Sequence, residues 1–148
     1  MLVAPAILYP AGMSVAEAVY RIVVRGVRSA APLFARGGSK LARGLRGRRD
    51  AAEALVSWGE VCRRPGSPAA WFHAPSVGEG LQARSVMEIL GREVPGVQLA
   101  FTHFSPSAVA LARRMPADVA GYLPWDLPDE MGAVLDAVRP SLLAFTKT

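Results

Sequence analysis

The stretch WFHAPSVGEG, residues Trp71–Gly80, joins an apolar run to a turn rich in Pro, Ser and Gly. The six residues AAWFHA (69–74) are mostly apolar or aromatic, which predicts a buried β-strand. A helical pattern follows in GEGLQARSVMEILGRE (78–93), so the sequence predicts a strand, a tight turn and a helix. A single acid, Glu79, lies between two glycines at the start of that helix. On this pattern Glu79 is either part of a helix cap or a group that acts on a ligand.

The alternation of strand and helix continues along the chain. Further strands are predicted at 96–104, 119–124 and 141–146, and further helices at 105–115 and 127–138. Short loops between alternating strands and helices indicate right-handed crossovers. The predicted fold class is therefore α/β, with a Rossmann-like parallel sheet and flanking helices. Ligands of such sheets bind at the carboxyl ends of the strands. The residues at those ends are Ser76–Gly80, Thr102–Ser107, Pro124–Asp126 and Thr146–Thr148.

A basic segment, residues 14–64, precedes the α/β part. SVAEAVYRIVVRGVRSA predicts an amphipathic helix with Ser14 as its N-cap and Glu17 at the capping-box position. Its apolar face lies beside a stripe of charges formed by Glu17, Arg21, Arg25 and Arg28. Six of the fourteen residues in RGGSKLARGLRGRR (36–49) are Lys or Arg. This pattern favours attachment to an anionic membrane surface. A helix packed on its own domain and a solvated basic linker are the alternatives.

Charge and composition narrow the possible partners. Residues 1–64 contain 11 Lys/Arg and 4 Asp/Glu, whereas residues 65–148 contain 6 and 8. Nucleic acid is not an expected partner, because no aromatic side chain lies between Arg36 and Arg49 to stack on bases. One cysteine, Cys62, and two histidines provide no cluster with metal-ligand spacing, so no metal is expected.

The pattern also predicts boundaries along the chain. Residues 1–13 are apolar but interrupted by Pro and Gly, and we expect a poorly ordered extension that is too short to span a membrane. RRPGSP (63–68) predicts a loop that separates the basic segment from an α/β domain at 65–148. Because the chain stops at a predicted strand end, we expect it to be a fragment that lacks a further domain.

Two known fingerprints fit the turn only in part. Gly78-Glu-Gly80-Leu-Gln-Ala83 matches the dinucleotide pattern G-x-G-x-x-A, but residues 95–117 contain no acid that could bind a ribose. Ala74-Pro-Ser76-Val-Gly78 approximates a serine nucleophile elbow, yet no histidine follows Asp126 to serve as its base. The third possibility is that Glu79 is a general base, in a first helical turn that favours its charged form.

Four stretches, taken in order, resemble the N-terminal half of the 3-deoxy-D-manno-octulosonic acid (Kdo) transferases: AWFHAPSVGEGLQARSVMEIL, LAFTHFSPSAVALARR, YLPWD and RPSLLAFTKT. The resemblance covers about residues 69–148. It implies the two-domain GT-B architecture, with a first domain that binds a lipid A precursor and a second that binds the donor CMP-Kdo. It also implies attachment to the cytoplasmic face of the inner membrane through the basic segment. No cofactor or metal is implied.

The resemblance assigns roles to particular residues. Glu79 matches the motif glutamate taken as the catalytic base of an inverting sugar transfer. The expected substrate-binding residues are Ser76, Gly78, Gly80, His103, Ser105 and Ser107. We expect His103 to face the interdomain cleft more openly than His73, and Asp126 to cap the helix at 127–138.

One stretch departs from the family pattern. Thr146-Lys147-Thr148 stands where many members have an acidic turn, so an acid in that turn is missing here. The alternative function is a non-catalytic Rossmann-like module that binds a phospholipid or a phosphorylated ligand at the membrane.

Overall fold

The computed structural model describes residues 14–146. The predicted extension at 1–13 and the last two residues lie outside this described part. In chain order the elements are α1 (Val15–Phe34), α2 (Lys40–Arg49), α3 (Ala51–Val61), β1 (Ala69–Ala74), α4 (Val77–Glu93), β2 (Gln98–His103), a 3-10 turn (Pro106–Ala108) that runs into α5 (Val109–Ala112), β3 (Val119–Tyr122), α6 (Pro128–Val138) and β4 (Leu142–Phe145).

The four strands form one parallel sheet in the order β3-β2-β1-β4. This confirms the predicted α/β class with a Rossmann-like sheet. The chain extends the sheet from β1 to β3 in one direction and then returns, so that β4 pairs with the opposite side of β1. The order therefore reverses between β1 and β4, and the carboxyl ends of those two strands border the crevice where such folds bind ligands.

Each face of the sheet has its own hydrophobic core. On one face, α4 and α5 bury a cluster around Phe72 and Phe101. On the other face, α3 and α6 bury Trp71 together with Leu55, Trp58, Val134 and Val138. Residues from both sides of the predicted division at residue 65 thus share the second core.

Helices α1 and α2 pack beside the carboxyl end of the sheet. Ser14 and Ser39 are their N-caps, and each hydroxyl accepts a hydrogen bond from the backbone N–H three residues later. Ala31 of α1 is buried with Trp125 and Leu127, and Leu45 of α2 packs against them.

The outer side of α1 remains exposed and apolar. Val15, Val19 and Ile22 are 81, 55 and 70 % exposed, and they form the outer apolar face of this helix. Within residues 14–146, none of the helices combines the length and the apolar content that a membrane crossing requires.

Two sequence expectations are wrong in detail, and one of the alternatives does not hold for part of the basic stretch. The helix predicted at 105–115 is only a 3-10 turn followed by four α-helical residues. Tight turns follow Ala112, and Pro116 disfavours helical backbone at Met115, the residue before it. The N-cap of α6 is Leu127, without a side-chain bond, and not Asp126. The Lys40–Arg49 part of the basic stretch is not a solvated linker, since it forms α2 and buries Ala42 completely.

Candidate active site at the carboxyl edge of the sheet

Backbone hydrogen bonds draw the loops at the strand ends together. The N–H of Ser105 donates to the carbonyl of Pro75 at 3.0 Å, which joins the loops after β2 and β1. The N–H of Thr146 donates to the carbonyl of His73, also at 3.0 Å, which joins the end of β4 to β1. Three of the four loops that the sequence singled out therefore form one continuous edge.

Glu79 lies in the first turn of α4 at this edge. Ser76 is the N-cap, and its hydroxyl accepts a long hydrogen bond of 3.5 Å from the N–H of Glu79. The same hydroxyl donates to Oε2 of Glu79 at 2.7 Å. The residue Glu79 is 9 % exposed. Ser76 thus caps the helix and also orients the carboxylate, in a first turn whose helix dipole favours negative charge.

The two glycines around Glu79 have different surroundings. Gly78 is exposed, and a Cβ there would meet no atom within 4 Å. A Cβ on Gly80 would lie 2.6 Å from Cδ2 of Leu111 and 3.4 Å from Cζ of Phe101. Gly80 therefore faces the core and lets α4 approach it closely, whereas Gly78 faces the open edge.

Ser105 and Ser107 lie beside the Glu79 loop. The Ser105 hydroxyl accepts a hydrogen bond from the N–H of Ser107 at 3.3 Å, and the two hydroxyls are 2.8 Å apart. Ser107 is exposed, and Ser105 is half-buried. Their position next to the loop after β1 fits the predicted contact with a ligand, and that contact stays a prediction.

His103 lies below this edge and not on the open surface. Its side chain is 1 % exposed and contacts the Tyr122 ring, with 4.3 Å between ring centroids. Nδ1 lies 3.0 Å from the carbonyl of Ser105. Burial lowers the pKa of His103, so the neutral ring is favoured. A substrate contact of His103 stays a prediction, but the open position in a cleft that we expected for it is not observed.

His73, which we expected to be less open than His103, borders a cavity. Nδ1 lies 3.1 Å from the hydroxyl oxygen of Thr102, which accepts a second hydrogen bond from the indole N–H of Trp71 at 2.9 Å. Burial lowers the pKa of His73, and the charge of Arg48 acts in the same direction. His73 is therefore a fixed, neutral ring at the end of β1.

Arg48 is a site residue that the sequence analysis missed. Its Nε and Nη2 donate to the carbonyls of Leu123 and Pro124 at 3.2 and 2.9 Å. Its guanidinium carbon lies 4.8 Å from the Phe104 ring centroid and 4.4 Å from the nearest Trp125 ring centroid. Burial lowers the pKa of Arg48 below its ordinary value. The cation thus holds the loop after β3 in place.

Polar contacts fasten α1 over the same loop. The Tyr20 hydroxyl donates to Oδ2 of Asp126 at 2.8 Å, and this bond raises the pKa of Tyr20. Nε of Arg28 lies 2.9 Å from Oε1 of Glu130. The other oxygen of Glu130 accepts a hydrogen bond from the Trp125 N–H at 3.1 Å. These contacts place the inner face of α1 against the carboxyl edge.

A cavity of about 400 Å³ lies between α1 and the sheet edge. Helix α1 contributes Tyr20, Val23, Val24 and Val27 to its wall. The strands and the loops after them contribute Trp71, His73, Phe104, Leu123, Trp125, Asp126, Leu143 and Phe145, and Arg48 and Met131 complete the wall. The lining is predominantly apolar.

The chemistry available at this edge is that of a carboxylate base. The described residues 14–146 contain no group of three His, Cys, Asp or Glu side chains arranged to hold a metal ion. An oriented carboxylate at the carboxyl end of a strand can accept the proton of a hydroxyl that attacks an electrophile.

Comparison with known proteins identifies a family match. A protein-family model described as 3-deoxy-D-manno-octulosonic-acid transferase (kdotransferase) matches residues 45–148. The match begins inside α2 and includes every strand of the sheet and the loop that carries Glu79. It confirms the resemblance found in the sequence. No curated protein and no solved structure matches the chain.

Proposed function

The chain belongs to the Kdo transferase family of glycosyltransferases, whose N-terminal domain it matches over residues 45–148, and from this premise we propose that it binds the acceptor in the transfer of Kdo from CMP-Kdo to a lipid A precursor. The acceptor is held at the carboxyl edge of the sheet. The donor is held by a second domain, as in the GT-B architecture. The proposed transfer of Kdo to a lipid A precursor is a step of lipopolysaccharide synthesis.

The observation that carries this proposal is the contact between Ser76 and Glu79. Oε2 of Glu79 is 2.7 Å from the Ser76 hydroxyl, and the carboxylate lies at the edge where α/β sheets bind ligands. Glu79 removes the proton from the acceptor hydroxyl, whose oxygen attacks the anomeric carbon of Kdo. The bond from that carbon to the CMP phosphate breaks, and CMP leaves with the electron pair. Attack from the face opposite the leaving group inverts the anomeric configuration.

The location that we propose is the cytoplasmic face of the inner membrane. The outer apolar face of α1 supports it, because exposed side chains such as Val15 and Ile22 suit contact with acyl chains. Three exposed cations in or near α1 and α2 make neither an ion pair nor a side-chain hydrogen bond within residues 14–146, and they suit anionic headgroups. These are Arg25, Arg36 and Lys40.

The test of the proposed base is Glu79→Gln in a protein that combines this chain with a donor-binding domain. Transfer of Kdo from CMP-Kdo to lipid A precursor is measured at saturating substrates. We expect kcat to fall about 10²- to 10⁴-fold, which is the usual contribution of a general base. The melting temperature should be unchanged.

The matched control for this test is Glu88→Gln. Glu88 is on the same helix but is exposed, and it pairs with Arg84 one turn earlier. It should retain full activity. Near-normal turnover of Glu79→Gln would show that Glu79 serves only the helix start and would contradict the proposed base.

A further inference from the structure

The apolar cavity between α1 and the carboxyl edge has no role in the proton transfer described above. Its volume of about 400 Å³ lies in the range of small-molecule sites. Hydrocarbon and aromatic surface from α1, β1 and β4 forms most of its wall, with Val24, Trp71 and Leu143 as examples. Such a wall binds an alkyl chain better than a sugar or a phosphate, because it offers few hydrogen bonds.

The polar groups in the wall already have partners. Arg48 donates to two backbone carbonyls, and its guanidinium stacks against two aromatic rings. Asp126 accepts the hydrogen bond of Tyr20. His73 is held through Nδ1 by Thr102. These bonds hold the wall in shape without requiring a polar ligand.

The cavity borders the outer apolar face of α1. Val23 and Val27 line the cavity and are still 56 and 48 % exposed, so they stand at its mouth. Val15 and Val19 continue the apolar surface along the same helix, away from the cavity. A hydrocarbon chain can therefore pass from a lipid phase into the cavity along an apolar path.

We propose that this cavity binds an acyl chain of the lipid acceptor. His73 lies in its wall, at the end of the strand that leads into the Ser76–Glu79 turn. A chain bound there leaves the attached sugar at the carboxyl edge, on the side of the catalytic carboxylate. The identity of the acceptor in this proposal rests on the proposed function, whereas the binding of an acyl chain in the cavity does not.

The test compares two valine pairs with the same spacing on one helix. Val23→Trp/Val27→Trp fills the mouth of the cavity, and Val15→Trp/Val19→Trp adds the same side chains on the outer apolar face. Binding of cis-parinaric acid by the full chain is followed by fluorescence without vesicles. We expect the wild type and the control pair to bind alike and the mouth pair to bind at least tenfold more weakly. A loss of this size is about what we expect if two methylene groups of the probe can no longer enter the cavity.

Equal binding by both tryptophan pairs, or no binding by the wild type, would overturn the proposal. A competition in one detergent then identifies the source of the chain. Lipid A precursor should displace the probe at a concentration at least tenfold lower than dioleoylphosphatidylglycerol does. Equal displacement would assign the cavity to bilayer lipid and contradict the proposal that it binds the acceptor. Probe binding needs no transfer, so full activity of Glu79→Gln would remove the proposed base and leave the cavity site standing.

Discussion

The Ser76 hydroxyl and the Glu79 carboxylate are 2.7 Å apart, and the same hydroxyl accepts from the N–H of Glu79. One serine thus caps the N-terminus of α4 and orients the acid in its first turn. The side chain that caps α4 is that of Ser76, and the general-base role that we propose for Glu79 stays a prediction.

Ser76→Ala should lower kcat as well as the unfolding free energy. The loss of the cap costs about 1 kcal/mol of unfolding free energy, and the loss of orientation of Glu79 should reduce kcat roughly 10- to 100-fold. Ser39→Ala is the control, since Ser39 caps α2 through the same type of bond and lies in another helix. Urea unfolding and steady-state kinetics measure the two effects. Equal activity of the two variants would show that Ser76 only caps the helix.

Arg48→Lys should destabilise the loop after β3. Lysine lacks the planar group that bonds the carbonyls of Leu123 and Pro124 and stacks on two rings. We expect a loss of about 2 kcal/mol in unfolding free energy. Arg49→Lys is the control, because the neighbouring Arg49 is exposed and pairs with Asp50 next to it in the chain. If the two variants unfold at the same urea concentration, Arg48 does not hold the loop.

Gly80→Ala should destabilise the protein, whereas Gly78→Ala should not. The added methyl at residue 80 would lie 2.6 Å from Cδ2 of Leu111, and overpacking of this kind costs about 1–3 kcal/mol. At residue 78 the methyl meets no atom within 4 Å, and the better helix propensity of alanine should add up to about 1 kcal/mol. Thermal unfolding distinguishes them. The prediction fails if both substitutions shift the melting temperature in the same direction.

Stability should fall as pH falls below about 6.5. Burial lowers the pKa of both His73 and His103 in the folded state, so the unfolded chain binds more protons in acid. Stability from this source is complete above the unfolded pKa and is lost as pH falls toward the folded values. The slope is at most about 1.4 kcal/mol per pH unit for each histidine.

Urea unfolding between pH 8 and pH 5 measures this slope, and an NMR titration of the two rings measures each pKa directly. His103→Asn should reduce the slope, because it removes one of the two buried histidines. A pKa at or above 6.5 for both rings would contradict the prediction.

Ile22→Asp should weaken binding to vesicles that contain phosphatidylglycerol. Ile22 lies on the outer apolar face of α1 and is 70 % exposed, so a charge there should not unfold the helix. Val61→Asp is the control, at an exposed apolar position on α3. Added salt should weaken binding by the wild type, because it screens the cations near α1. Identical vesicle binding by the two variants would count against attachment through α1.

The sequence predicted the elements in which local signals agree. β1 has the predicted bounds, and α4 begins within one residue of its prediction, because a buried apolar run is followed by a serine cap and a helical period. The helix at 105–115 was overestimated. Its apolar spacing is helical, but tight turns end α5 at Ala112, three residues before Met115.

The role of Arg48 depended on contacts between distant segments. Ala42 and Leu45 face inward in α2, and Arg48 continues that spacing of three. The surrounding run of cations instead suggested contact with a membrane surface or a solvated linker. The carbonyls and rings that surround Arg48 lie more than fifty residues later in the chain. Likewise, the partner of Asp126 is Tyr20 in α1, so its local pattern as a cap was misleading. Spacing within one segment carries no information on such pairs.

The pairing of β4 with β1 has a consequence for the order of assembly. β2 and β3 add to one side of β1 in the order in which they are synthesised, whereas its other side pairs with Leu142–Phe145. During translation that side of β1 therefore stays unpaired until the last of the described strands emerges. Contacts so distant in sequence form slowly, and an open strand edge invites pairing with another chain. The nascent protein is thus most prone to aggregate before β4 joins the sheet.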